Sequence, residues 1–276
     1  MYNREISFDG RKVDVSFEEE ELIELLDFLF LDLVDDDTIE SFQSLKISRD
    51  EEKDQWTLLN GEKSLYSGAS LPGLGTILMG EVLFHLIREN DHALAIHAGL
   101  VSRGERTILL PGSSGSGKSS VTTWLVSHGW RYHTDELVAI DLVTRAVKAF
   151  TRPLNIKTRG VPAVREIFDL DSVEDQCQIS AGVTMIPHRL VNSDFSANVP
   201  HITHVIFPKY IAESEPELIE LSGAEAGLEM MRSNVIARNL PNHGFSQITA
   251  LVRDIPAYRL HYQHFDNLPD LIKKIA

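Results

Sequence analysis

Residues 107–120 read TILLPGSSGSGKSS. The apolar run Ile108-Leu109-Leu110 predicts a buried strand. The run after it, GSSGSGKSS at 112–120, is too polar and too rich in glycine to enter a core. It fits the spacing G-x-x-x-x-G-K-[ST] through Gly112, Gly117, Lys118 and Ser119. Each residue type has a physical reason to be there. Glycine admits backbone angles that turn successive N–H groups toward one point. A helix beginning at Lys118 would aim its positive end at the same point. The whole run from Gly112 through Ser113, Ser114, Gly115, Ser116, Gly117, Lys118 and Ser119 to Ser120 is therefore expected to cradle a nucleotide triphosphate. Lys118 would lie on the β- and γ-phosphates, and Ser119 would ligate Mg²⁺.

Working outward, residues 93–101 read as a strand containing His97, and Arg103-Gly104-Glu105-Arg106 as a turn. Residues 118–128 read as a helix stopped by Gly129. A further strand leads through His133-Thr134-Asp135-Glu136 into Leu137-Val138-Ala139-Ile140. Strand, glycine loop, helix, strand is a phosphate-binding pattern. Two adjacent carboxylates after it can divide the work of orienting a metal and taking a proton from an attacking hydroxyl. On an extended strand, Asp135 and Glu136 would point in opposite directions. Downstream, TRPLNIKTRG at 151–160 gathers Arg152, Lys157 and Arg159, with Lys157 and Arg159 expected on one face of an extended segment. Later strands are expected at 202–207 and 257–262, and a closing helix at 267–275.

The preceding part differs in character. Residues 1–60 carry 18 Asp and Glu against 6 Lys and Arg, whereas the remainder carries 23 against 20. The net charge of −15 disfavours nonspecific nucleic-acid binding. A first hairpin turns at Asp9-Gly10 and a second at Asn60-Gly61, with strands at 42–47 and 55–59 and helices at 18–34 and 72–90. The expected division is an acidic α+β N-terminal region at 1–92, packed against a phosphate-loop domain at 93–276. One cysteine among 276 residues excludes an intrachain disulfide. No signal peptide and no bilayer-spanning run is read, since the most apolar window is short and interrupted by Asp27 and Asp32. The expectation is a cytoplasmic protein with no membrane partner, and the sequence leaves a homo-oligomer open.

The segments IHAGLV (96–101), LLPGSSGSGKSS (109–120), GWRYHTDELVAID (129–141), FTRPLNIKTRG (150–160), VIFPKY (205–210) and IPAYRLHY (255–262) together resemble the HPr kinase family, and more closely its HPr kinase-related branch. The resemblance implies an α/β phosphate-loop core of the HPr kinase and phosphoenolpyruvate carboxykinase type, mostly β and not doubly wound. It implies an ATP- and Mg²⁺-dependent kinase acting on a hydroxyl, with a serine of a peptide or protein as acceptor. By position Asp135 would be the catalytic base, Glu136 the second acid and a metal ligand beside Ser119, His97 the strand histidine near the site, and Arg159-Gly160 the Arg-Gly of a second loop. The family carries a Glu, a candidate metal ligand, two residues before that Arg-Gly. Here the position is Lys157, and a charged lysine cannot ligate Mg²⁺. Two other readings stand beside this one: a nucleotide-binding accessory or scaffold protein without transfer, and a kinase of a small-molecule hydroxyl.

Overall fold

The computed structural model describes residues 1–33 and 41–275. The N-terminal region forms a five-stranded sheet in chain order: β1 (Tyr2–Phe8), β2 (Arg11–Phe17), β3 (Ser41–Asp50), β4 (Gln55–Asn60) and β5 (Lys63–Gly68). Asp9 and Gly10 both take left-handed backbone angles, φ 51° and 81°, as a two-residue hairpin turn requires. The strands alternate Val13, Val15 and Phe17 inward. Helix α1 (Glu21–Phe30) starts three residues later than the sequence suggests, with Glu21 and Glu24 in its first turn, where the helix dipole favours acids. Residue 34, the expected end of that helix, lies outside the described residues. Helix α2 (Leu71–Ile87) is capped by Ser70, whose hydroxyl accepts from the Gly73 N–H at 3.0 Å, and Pro72 falls in its first turn.

The second sheet carries the glycine loop. Its first members are β6 (Ala93–Arg103), β7 (Arg106–Pro111), β8 (Arg131–Thr134), β9 (Leu137–Asp141) and β10 (Val147–Phe150), with helix α3 (Lys118–Ser127) after β7. Three short strands, β11 (Leu154–Lys157), β12 (Gln178–Ser180) and β13 (Val183–Ile186), form a separate small sheet beside it. The chain returns to the second sheet with β14 (His204–Tyr210), β15 (Glu217–Glu220) and β16 (Ala257–Tyr262). The order is β10-β9-β6-β7-β14-β16-β15, with β8 also paired to β6. β7, β14 and β16 run parallel, and the other pairings are antiparallel. The sheet is therefore mixed. β14 extends further than 202–207 predicts, to Tyr210, which brings an aromatic side chain to the loop.

Period-two alternation sends each strand's side chains into different cores. Leu94, Ile96, Ala98 and Leu100 of β6, Val138 and Ile140 of β9, Leu109 of β7 and Val205 and Phe207 of β14 pack with helices α4 (Gly223–Met231) and α5 (Phe245–Asp254). The opposite face divides. Ala93, Ala95, Leu137, Ala139 and Phe150 join the N-terminal sheet and α2. Ile108, Leu110, Ile206 and Leu260 join α3 and the small sheet. The N-terminal sheet thus packs against the part that carries the glycine loop through a shared core, with Phe8 and Phe150 edge-to-face at 5.5 Å. A polar contact adds to this joint: Arg189 and the buried His188 both donate to Asp32, His188 at 2.8 Å. Among the described residues no helix is long and apolar enough to cross a membrane.

One buried group in this sheet makes stability depend on pH. His133 on β8 is 1% exposed and shares a hydrogen bond with the Ser102 hydroxyl at 2.8 Å. Burial, with Arg131 and His188 adding to it, lowers its pKa to about 4. The unfolded chain takes up that proton near pH 6.5 and the folded chain only near pH 4, so stability is lost as pH falls through this window. The loss from this group approaches about 3 kcal/mol at the acid end and is absent above the unfolded value. Urea unfolding between pH 7 and pH 4.5 should show it, and His133→Gln should flatten the slope by close to one proton.

Candidate active site

Between β7 and α3 the chain makes the tight loop that the glycines allow. Gly115 and Gly117 have φ of 93° and 90°. Gly117 is the residue before α3, and Tyr262 at the end of β16 donates its hydroxyl to the Gly117 carbonyl at 3.0 Å. That hydroxyl occupies the space a Cβ on Gly117 would need. Gly117→Ala therefore meets both a backbone penalty of about 1–2 kcal/mol and a collision with Tyr262. A fall in melting temperature and at least about tenfold weaker binding of a triphosphate, by titration, are the expected results. Gly115 also has a close neighbour, the end of the Arg159 guanidinium, where its Cβ would be.

Lys118, the first residue of α3, is buried. Its ammonium donates to the backbone carbonyl of Asp135. Burial pushes its pKa down, and the charges of Asp135 and Glu136 oppose that shift. The two acids do not lie on a continuous strand. β8 stops at Thr134 and β9 starts at Leu137, and the pair occupies a bend opposite β6. Thr134 fixes the bend: its hydroxyl donates to the Phe150 carbonyl at 2.6 Å and accepts from the Glu136 N–H at 3.0 Å.

The consequence is a division between the two carboxylates. Asp135 is fully buried. It accepts from the Asn155 N–H at 3.2 Å and lies 3.4 Å from the Tyr132 hydroxyl and 3.5 Å from Arg152 Nε. Burial alone would raise its pKa. The cations Lys118 and Arg152, with hydrogen bonds from Asn155 and the Ser119 hydroxyl, reverse this and hold it below the usual carboxylate range. Glu136 instead faces the cleft. It is ion-paired to Arg152 through Nη2 and lies 3.8 Å from His97 Nε2. Burial and Lys118 lower the pKa of His97 against the pull of Glu136 and Asp135, so its imidazole is neutral at neutral pH.

The cleft has a volume of about 710 Å³. His97, Glu136 and Arg152 line one part, the loop residues Ser113, Ser114, Gly115, Gly117, Lys118, Ser119 and Ser120 its floor, and Asn155, Lys157 and Arg159 the facing wall. Gly112 and Ser116 lie behind the floor against each other, since a Cβ on Gly112 would strike the Ser116 hydroxyl. Lys157 and Arg159 do not share a strand face as expected. Lys157 ends β11 and Arg159 sits in the 3₁₀ turn Thr158–Gly160, yet both reach the loop. Ser119, Asp135 and Glu136 provide only hard oxygen donors, the type Mg²⁺ takes together with substrate phosphates. No cluster of three or more His, Cys, Asp or Glu that could hold a metal occurs among the described residues.

The least anticipated site residue is Arg152. Its sequence signal was only membership of a basic cluster, but it is the buried cation that joins both carboxylates, and they keep its own pKa high against burial. Tyr132, Asn155 and Tyr262 left no signal, because each acts through a contact across more than one element.

A mixed sheet, a glycine loop closed on the first turn of a helix, and a carboxylate pair behind its lysine define an α/β protein. Comparison with known proteins narrows this. The chain is 28% identical over 129 residues to an HPr kinase/phosphorylase of Lactobacillus delbrueckii subsp. bulgaricus, covering 45% of this chain and 39% of that protein. It is 32% identical over 103 residues to an HPr kinase/phosphorylase of Lachnoclostridium phytofermentans, covering 35% of this chain and 33% of the relative. It therefore spans about a third to two fifths of the length of these curated relatives. No family model matches. A solved structure, the Hpr(Ser) kinase/phosphatase from Coxiella burnetii, aligns with 66% of this chain and 87% of its own, at 13% identity and a TM-score of 0.34. The similarity is thus to HPr kinase/phosphorylases over part of the chain.

Proposed function

We propose that this protein is an ATP- and Mg²⁺-dependent kinase that transfers the γ-phosphoryl to a hydroxyl, with a protein or peptide serine as the acceptor class. The observation that carries the reading is the buried network of Lys118, Asp135 and Arg152, which ends in the cleft-facing Glu136 beside the glycine loop. A phosphate loop used for packing has no need of a buried lysine with two carboxylates behind it. The curated relatives, HPr kinase/phosphorylases, are in keeping with a protein acceptor.

In this reading the loop amides from Gly112 to Ser120 and Lys118 bind the triphosphate. Ser119 would ligate Mg²⁺, with Asp135 behind it holding that hydroxyl in place, and the ion would offset phosphate charge. The acid that takes the proton differs from the one expected from sequence. Asp135 is sealed behind Ser119, so it orients that hydroxyl and Lys118. Glu136 faces the cleft, so it takes the acceptor's proton, with neutral His97 positioning the acceptor beside it. Arg152 fixes both acids, and Arg159 steadies the loop at Gly115.

The test is titration with Mg·ATP, followed by γ-labelled ATP offered with serine peptides and with a panel of small hydroxyl metabolites. Label on a peptide supports the proposal. Label on a metabolite moves the acceptor to the small-molecule class. Tight nucleotide binding with no labelled acceptor favours the accessory-protein reading.

A further inference from the structure

We propose that Lys157 is a further catalytic residue, which engages the transferring γ-phosphoryl from the wall facing the loop and stabilises the charge that develops there. The proposal rests on the kinase reading above. The placement begins with the alternation of β11. Leu154 and Ile156 enter the core, at 0% and 1% exposure, and Asn155 and Lys157 turn to the cleft. The strand is held on both sides. The Asn155 N–H bonds to Asp135, Lys157 pairs in register with Val183, and the Thr158 N–H donates to the Gly182 carbonyl at 3.0 Å. From this fixed edge the Lys157 ammonium reaches the Ser114 hydroxyl at 2.5 Å, while Arg159 lies against Gly115.

Two cations on one wall thus meet two consecutive residues of the loop, whose backbone and lysine in such a motif together cradle the β- and γ-phosphates. The charge of Lys157 also bears on Lys118 from across the loop. Such a gathering of like charges is unfavourable by itself and becomes favourable around a polyanion. The acceptor's side of the cleft is marked by His97 and Glu136, whereas Lys157 touches the loop, so its partner is the donor phosphate. In the transfer, the acceptor oxygen bonds to the γ-phosphorus as the bond to the β–γ bridging oxygen breaks. The electron pair of that bond stays on the ADP oxygen, and the acceptor proton goes to Glu136. Lys157 takes no part in the proton's path. It acts as a positive point charge supplied by the chain itself, in the manner of a finger residue that steadies the transition state.

Calorimetric titration of wild type, Lys157→Met and Lys157→Arg with Mg·ADP, with the Mg complex of the non-hydrolysable imido analogue of ATP, and with Mg·ADP plus aluminium fluoride tests this. Lys157→Met should bind Mg·ADP within about twofold of wild type, bind the imido analogue about tenfold more weakly, and lose the aluminium fluoride complex; Lys157→Arg should keep part of it. In turnover, kcat should fall about 10²–10³-fold with the acceptor KM unchanged. Equal weakening of all three complexes, no change in any, or an effect confined to acceptor KM would overturn the assignment. A wild-type protein that binds nucleotides but labels no acceptor sinks the kinase reading alone, and the comparison of ADP with the imido analogue still decides whether Lys157 reads the γ-phosphate. Failure of the wild type to bind any nucleotide removes both.

Discussion

Glu136→Gln is expected to slow phosphoryl transfer about 10³-fold while Mg·ATP still binds within about threefold of wild type. The substitution keeps the side chain's size and its place in the bend fixed by Thr134. It removes the cleft-facing carboxylate that lies 3.8 Å from His97. Asp135→Asn should behave differently. Asp135 is fully buried among Lys118, Arg152, Asn155 and Ser119, so its loss should weaken Mg²⁺-dependent nucleotide binding and lower stability. Rapid-quench kinetics and calorimetry on the two variants separate the roles. A fast Glu136→Gln enzyme beside an inactive Asp135→Asn enzyme with normal binding would return the base to Asp135.

Arg152→Met is expected to destabilise the protein by about 3–5 kcal/mol, the usual penalty for removing one partner of a buried ion pair. The guanidinium is nearly inaccessible and lies within ion-pair distance of both acids, so the methionine leaves Asp135 in a fully buried site with Lys118 as its remaining close cation. The carboxyl would then move up from its depressed range, and acid unfolding would begin at higher pH. Thermal unfolding should show a drop on the order of 10 °C. The double variant Arg152→Met, Glu136→Gln should recover part of it, since one uncompensated charge is gone. An Arg152→Met protein as stable as wild type would mean that water reaches these acids.

Much of this arrangement was legible in the chain. Local chemistry announces itself: Gly112, Gly117, Lys118 and Ser119 have fixed spacing, the Asp9-Gly10 turn needs only its own two residues, and strands β6, β7 and β16 follow from their apolar runs. Asp135 and Glu136 were legible as an acidic pair but not as a fully buried acid and a half-buried, cleft-facing one. That difference comes from a bend held by the Phe150 carbonyl on a neighbouring strand. Arg152 and Tyr262 were illegible as site residues because their roles depend on the folded arrangement, which brings Tyr262 within one hydrogen bond of the loop and Arg152 against both acids. The same holds for Lys157 and Arg159. Their spacing suggested a shared strand face, whereas a strand end and a 3₁₀ turn bring them to neighbouring loop residues.

The reaction proposed for this cleft is phosphoryl transfer. A single turnover with γ-labelled ATP, Mg²⁺ and enzyme in excess over nucleotide, run with wild type and Glu136→Gln in parallel, tests it most directly. Label is expected to leave ATP for an acceptor hydroxyl in the wild type and to stay on bound ATP in the variant. Label that remains on ATP in both proteins, with nucleotide bound tightly in each, would contradict it.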